Sequence, residues 1–395
     1  MSQLPLGHSP DLRRLREDGY EVSIDDDGRL VVDNIACVTT EGKVGSGSLV
    51  CELNLSGDRT GPPGNHEVDF VGPTPCNRYG KQLPHITRSE NMKLRGQTLQ
   101  SHHFSSRPST PFPDYHAKIT NYANMINGPA QAIGGPSART YREIADDDPD
   151  SVFKYLDTGP GRSGVSAITR KVEGMRVAIV GLGGTGSYIL DFVAKTPVRE
   201  IHLFDGDILY SHNAFRSPGA AKLETLREAP KKVDYYRDMY GPMREGIVPH
   251  PYPINETNLG ELDSYSFAFL SMDSGPAKEA IVRFLTDRNI PFIDTGIGVY
   301  ETDDRLAGVL RVTTSTLERQ DHVLNGTRID FTDRDQEALY DRNIQIAELN
   351  AFSASLAVIR WKKWAGIYLD LEHEHCSAYT IDGNALINVD RPRCE

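Results

Sequence analysis

The segment VAIVGLGGTGSYILDFVAK, residues 177–195, constrains the fold more than any other part of the chain. An apolar strand pattern runs into Gly181-x-Gly183-x-x-Gly186, and an apolar helical pattern runs out of it. Gly181 permits a tight turn, Gly183 lets phosphates approach the backbone, and Gly186 permits close helix–sheet packing. The helix N-terminus then offers N–H groups to an anion. A purely structural glycine turn would leave the same spacing, but the strand–turn–helix context favours a nucleotide. Asp205 ends the next strand, in EIHLFDGD, where a carboxylate accepts hydrogen bonds from ribose hydroxyls. Up to this point a nicotinamide dehydrogenase accounts for the residues equally well.

The residues downstream separate the two. Asp205 and Asp207 are followed by Asn213-Ala-Phe-Arg216, then Lys231-Lys232-Val233, then Met272-Asp273-Ser274 after the strand pattern SFAFLS. These polar groups fall at strand ends or in adjoining loops, where open parallel sheets bind ligands. A triphosphate with its metal needs cations, a carboxylate for Mg2+ and an orienting amide. A dinucleotide with one pyrophosphate does not. Each residue also has a bland reading: Arg216 and Lys232 as solvated surface cations, and Asp273 or Ser274 as a cap for the helix begun by Pro276.

The rest of the chain divides around this signal. Residues 1–110 alternate turn-rich stretches with short β-type runs such as RLVVDN (29–34) and SLVCELNL (48–55), and residues 115–133 read as a closing helix. We expect a β-rich α+β domain over 1–141, a linker and short helix over 142–171, and an α/β domain with a mainly parallel sheet over 172–395. In the last, strands at 175–180, 200–204, 266–271 and 291–295 alternate with helices near 184–195, 228–240 and 276–289. With 38% hydrophobic and 25% charged residues, no apolar run long enough for a bilayer, and five cysteines without a CxxC pair, the chain reads as a soluble cytoplasmic protein. A net charge of −12 argues against a general nucleic-acid binder.

In its order of motifs, the chain resembles the ThiF/MoeB and ubiquitin-activating-enzyme adenylation family, with a Rossmann-like fold. The matching positions are Gly181, Gly183, Gly184, Gly186, Asp205, Asp207, Asn213, Arg216, Lys232 and Asp273; Ser217 stands where the family usually has Gln, and the longer Arg-to-Lys spacing leaves Lys231 as an alternative to Lys232. The resemblance implies ATP and Mg2+ as cofactors. Asp205 would hold the ribose, Asn213, Arg216 and Lys232 the phosphates, and Asp273 the metal. It implies an arginine supplied to the partner subunit of a homodimer, for which Arg162 is the best match and Arg170 the second. It also implies a protein substrate, a ubiquitin-like protein ending in glycine, and a conjugating enzyme as further partner. The N-terminal domain is similar to one joined to such adenylation domains in bacterial ubiquitin-like operons, where a docking role is expected. Activation of a sulfur-carrier protein and a catalytically silent nucleotide-binding scaffold are the alternatives. The Ala- and Ser-rich helix pattern at 343–366 suits either a dimer interface or a core helix.

Some residues fit this scheme poorly. Ubiquitin-activating enzymes commonly carry a thioester-forming cysteine, yet no cysteine lies between residues 77 and 375; only Cys37, Cys51, Cys76, Cys376 and Cys394 are available. Thr313, Thr314, Ser315 and Thr316 are read as a loop-like segment after a strand, able to offer a hydroxyl acceptor, or else as an ordinary strand end. His373, His375 and Cys376 read as a polar loop with a metal as the minor alternative. His66 and Cys76 read as structural.

Overall fold

The computed structural model describes residues 4–57, 59–142, 151–155, 166–273, 275–324, 328–332 and 344–389. The chain forms two compact units, Met1–Ser166 and Ala167–Glu395.

In the first unit, helices α1 (Leu4–His8) and α2 (Pro10–Glu17) precede strands β1 (Glu21–Ile24), β2 (Arg29–Val38) and β3 (Val44–Glu52). A short hairpin, β4 (Leu55–Ser56) with β5 (Arg59–Thr60), leads to β6 (Glu67–Val71), β7 (Ile86–Leu94) and β8 (Gln97–Ser105). The main sheet is antiparallel in the order β1-β2-β3-β6-β8-β7. Helix α3 (Tyr115–Gln131) covers it, and the Asp114 carboxylate caps its start by accepting from the Ala117 amide at 2.8 Å. Tyr115, Ile119, Tyr122 and Ile126 recur along one face of α3 and pack with Leu30, Val32, Phe70 and Phe104. This unit is the expected β-rich domain with its closing helix.

The second unit carries a mixed sheet of order β11-β10-β9-β12-β13-β14-β15-β16. A short helix α4 (Ser166–Thr169) leads to β9 (Arg176–Val180), α5 (Gly184–Ala194) and β10 (Glu200–Phe204). Next come α6 (Ser211–Ala214), α7 (Leu223–Glu228), α8 (Lys232–Tyr240), β11 (Ile247–His250), β12 (Phe267–Leu270) and α9 (Pro276–Asp287). The chain continues through β13 (Phe292–Thr302), β14 (Arg305–Ser315), α10 (Ala347–Trp364), β15 (Cys376–Thr380) and β16 (Ala385–Val389). Strands β11 to β13 are parallel; β13 to β16 add an antiparallel wing. The central strands read as continuous apolar runs because helices cover both faces of a parallel sheet. Val177, Ile179, Phe267 and Phe269 lie against α5 and α10, while Ala178, Val180, Ala268 and Leu270 face α9.

The hydroxyl-rich segment differs from expectation. Thr313, Thr314 and Ser315 belong to β14 itself, are buried, and pair across to β13; Thr316 is also buried and bridges to Arg319. Thr313 Oγ1 donates to the Arg328 carbonyl at 2.9 Å. Hydroxyls enclosed in a central strand cannot serve as an acyl acceptor, so that reading is withdrawn. The run continued as strand because β15 pairs with it from the other side and removes it from solvent.

His375 sits beside this strand, 2% exposed. Its Nδ1 donates to the His373 carbonyl and its Nε2 meets Thr316 Oγ1, both at 3.1 Å, which suits a neutral ring. Burial pushes its pKa below the ordinary value of 6.5, and burial shifts His202 and His250 the same way. The unfolded chain therefore takes up these protons first, and stability falls as pH drops through the unfolded value. Urea midpoints should decrease from about pH 7 to about pH 5, and a His375→Gln chain should show a shallower decrease. Equal slopes would refute the assignment. Among the described residues, no group of three or more His, Cys, Asp or Glu side chains is arranged to hold a metal.

Candidate active site

The glycine turn connects β9 to α5. Gly181 has φ +90°, and a Cβ there would overlap the Ser271 carbonyl at the end of β12. Gly186 sits on the Gly181 carbonyl and Gly184 against the Asn350 amide of α10, so a side chain at either would clash. A Cβ at Gly183 would meet nothing within 4 Å. Of the four glycines, Gly183 alone borders open space; the others serve close approach of α5 to its neighbours. Gly183 is also the N-cap of α5 and supplies no capping side chain.

Asp205, 8% exposed, ties this turn to the end of β10. Its Oδ2 accepts from the Leu182 amide at 2.6 Å and its Oδ1 from the Asp207 amide at 2.8 Å. A carboxylate with about four acceptor positions keeps capacity for a ribose hydroxyl after these two bonds. Lys232, 5% exposed, opens α8 and sends Nζ to Asp207 Oδ2 at 2.7 Å and to Asp205 Oδ2 at 3.7 Å. The neighbouring Lys231 Nζ instead donates to the Gly206 carbonyl. A cavity of about 300 Å³ opens here, lined by Gly206, Asp207, Ile208, Tyr210, Asn213, Lys231 and Lys232. Asp207 and Asn213 thus line the same cavity as Lys231 and Lys232, which follow about twenty residues later.

Asn213 is 2% exposed and accepts from the Tyr210 amide through Oδ1 at 2.9 Å. Ser217 donates to the Asn213 carbonyl at 2.7 Å, which closes the turn that carries Arg216. The Nε of Arg216 is buried without an acceptor. His212 is held below its ordinary pKa by burial and then by the charges of Arg216 and Lys232. Asp273 follows β12, is exposed, and stands beside the glycine turn through the Gly181–Ser271 contact. Among the described residues no cation pairs with it. Arg162 lies outside the described residues, as do residues 143–150 and Cys394. Arg170 is exposed in a short turn after α4.

Residues 161–346 match the ThiF family. This chain carries a ThiF family domain. Domains of this family are ATP-dependent adenylating modules. Residues 10–158 match DUF6791, a domain of unknown function. No curated protein matches the chain. Similar solved structures include E. coli MccB with MccA-N7isoASN, at 18% identity and TM-score 0.43, covering 57% of this chain and 67% of that one. PaaA stands at 18% identity and TM-score 0.42, covering 57% of this chain and 75% of that one. TcdA (CsdL) stands at 17% and 0.37, covering 53% and 92%.

Asn350, just beyond the matched residues, escaped sequence reasoning. From α10 it accepts from Thr185 Oγ1 at 3.1 Å and donates to the Arg216 carbonyl at 3.4 Å. It therefore joins the glycine helix to the Arg216 turn. Its one visible signal is a lone amide in an apolar, Ala- and Ser-rich helix. Tyr210 and Ile208 were also missed, because loop residues lining a cavity carry no periodic pattern.

Among the described residues, Cys37, Cys51, Cys76 and Cys376 are buried and form no disulfide. Burial pushes the Cys37 and Cys51 thiols up to about 11, and raises Cys76 as well. These are thiols kept protonated at neutral pH, the opposite of an activated nucleophile. His66 Nε2 lies 3.0 Å from Ser105 Oγ in the sheet of the first unit.

Proposed function

We propose that the ThiF domain adenylates the C-terminal carboxylate of a ubiquitin-like protein. The observation that carries this reading is the pair of cations at the glycine turn, with Lys232 held by carboxylates and Arg216 left with a buried, unpaired Nε. A buried donor without an acceptor costs about 1–3 kcal/mol, a cost that a bound phosphate oxygen would remove. Lys232 would shift from Asp207 toward the phosphates, and Asp205 would accept from the ribose.

In this mechanism the substrate carboxylate attacks the α-phosphorus of ATP, an acyl–phosphate bond forms, and the bond to pyrophosphate breaks. The carboxylate is already ionised at neutral pH, so no general base is required. Arg216 and Lys232 neutralise charge that grows on the leaving pyrophosphate, while Asn213 holds the turn that orients Arg216. Asp273 is an exposed carboxylate beside the glycine turn, and its oxygen donors suit Mg2+. When bound, Mg2+ would supply further charge neutralisation at the phosphates.

With the described thiols buried, the adenylate would pass directly to a partner, a conjugating enzyme, and the first unit would dock that enzyme or the ubiquitin-like protein. The outer face of α10 exposes Phe352 at 37% and Ile359 at 42%, which supports a homodimer contact. No helix among the described residues is long and apolar enough to cross a membrane.

The test is exchange of labelled pyrophosphate into ATP, dependent on a ubiquitin-like protein ending in glycine. Asp273→Ala is expected to lower that exchange by about 10²–10³-fold. A purified chain that binds NAD and gives no exchange with any such protein would refute the adenylation reading.

A further inference from the structure

The proposed phosphate site draws on two separate stretches of chain. One is the first turn of α5, whose leading N–H groups have no acceptor within the helix and whose N-cap, Gly183, supplies no side chain for them. The other is the turn after α6, which carries Arg216 with its buried, unpaired Nε. Within that turn the Arg216 amide donates to the Asn213 carbonyl at 3.1 Å, and Ser217 Oγ donates to the same carbonyl at 2.7 Å. These bonds shape the turn but do not tie it to α5.

Asn350 makes that tie. It is 1% exposed and is the one side-chain amide in α10. Its Oδ1 accepts from Thr185 Oγ1 in the first turn of α5, and its Nδ2 donates to the Arg216 carbonyl. A carbonyl can only accept, so the Arg216 end dictates which way the amide faces. The three atoms nearest a Cβ placed on Gly184 are Nδ2, Cγ and Oδ1 of Asn350. The amide therefore occupies the space that a side chain at Gly184 would need, hard against the same helical turn. An apolar side chain could fill that space too. Only a group with both a donor and an acceptor can also bond both turns, and hydrogen bonds hold direction because they weaken steeply with angle.

We infer that Asn350 is a positioning residue for adenylation, setting the Arg216 turn against the open first turn of α5 so that guanidinium and helix amides meet the same phosphates. The inference rests on the adenylation reading above. Asn350 acts through Arg216 and is not itself placed on the nucleotide. Charge neutralisation by fixed groups depends on their placement, and a misplacement of about 1 Å costs about 10²-fold in rate.

The test is a double-variant cycle on the full chain: wild type, Asn350→Ala, Arg216→Ala and the two together. Each is read as exchange of labelled pyrophosphate into ATP and as affinity for ATP. In the wild-type background Asn350→Ala is expected to lower exchange by about 10²-fold and ATP affinity by about fivefold. In the Arg216→Ala background the same substitution is expected to lower either by no more than about twofold, because the group it positions is gone. Its effect on the urea midpoint is expected to be equal in both backgrounds, since Asn350 bonds the main chain at Arg216 and not the side chain. Equal losses of exchange and affinity in both backgrounds, or an Asn350→Ala chain like wild type, would overturn the inference. A wild type that binds ATP yet gives no exchange would sink the adenylation reading, and the positioning role then stands or falls on the affinity cycle. A wild type that binds no ATP overturns both.

Discussion

Arg216→Ala is expected to lower ATP–pyrophosphate exchange by about 10²–10³-fold while leaving the unfolding midpoint within error of wild type. The two halves of this result have different origins. The loss follows from removing a fixed cation in a partly enclosed site, where little reorganisation is needed as phosphate charge develops. The unchanged stability follows because, among the described residues, the Arg216 side chain ends no ion pair and its Nε has no acceptor to lose. Lys232→Ala behaves differently. It removes contacts to Asp205 and Asp207 and leaves Asp205, 8% exposed, without a cation, so exchange and stability should fall together. An Arg216→Ala chain with exchange near wild type would show that the buried Nε is not aimed at the nucleotide. Arg216→Lys should recover part of the rate, since a point charge neutralises phosphate without the planar fork.

The second large effect concerns stability. Lys278 of α9 and Asp294 of β13 are buried together, with side chains 5% and 0% exposed and Nζ 2.9 Å from Oδ1. The angles fall short of a hydrogen bond, and both Asp294 oxygens lack a donor with good geometry, so the contact is mainly one of charge. Asp294→Ala strands an ammonium in a closed site and is expected to destabilise the second unit by about 3–5 kcal/mol. Urea unfolding followed by tryptophan fluorescence reads this unit, because the chain's two tryptophans, Trp361 and Trp364, both lie on α10. Replacing both partners by apolar residues, Asp294→Leu with Lys278→Met, should recover most of the loss. A double variant as unstable as Asp294→Ala would mean that the pair contributes packing that the charge argument omits.

Asp294 also shows the limit of sequence reading. In PFIDTG it lies in an apolar strand, and nothing local says that its carboxylate faces a lysine sixteen positions earlier on a helix. The strands themselves were more legible: EIHLF was expected at 200–204 and β10 occupies Glu200–Phe204. Helix α5 ends within a residue of its expected limit, and α3 lies within 115–133. Boundaries failed where pairing partners arrived from afar. Strand β13 runs to Thr302 instead of stopping at 295, because β14 pairs with it along its full length.

For this protein, sequence alone determined the strand–glycine–helix unit, the alternation that makes the central sheet parallel, and the residues around which an adenylation site is proposed. Those features are local: a turn needing φ above zero, a period of two or of 3.6 residues, and polar groups at strand ends. The tertiary structure decided which of those groups have partners. It showed Lys232 held by Asp205 and Asp207, Arg216 with an orphaned Nε, Asn350 joining α10 to the glycine helix, and the 313–316 hydroxyls shut inside a strand. Burial and pairing depend on contacts between positions as distant as Thr185 and Asn350, 165 residues apart, and no local pattern encodes them.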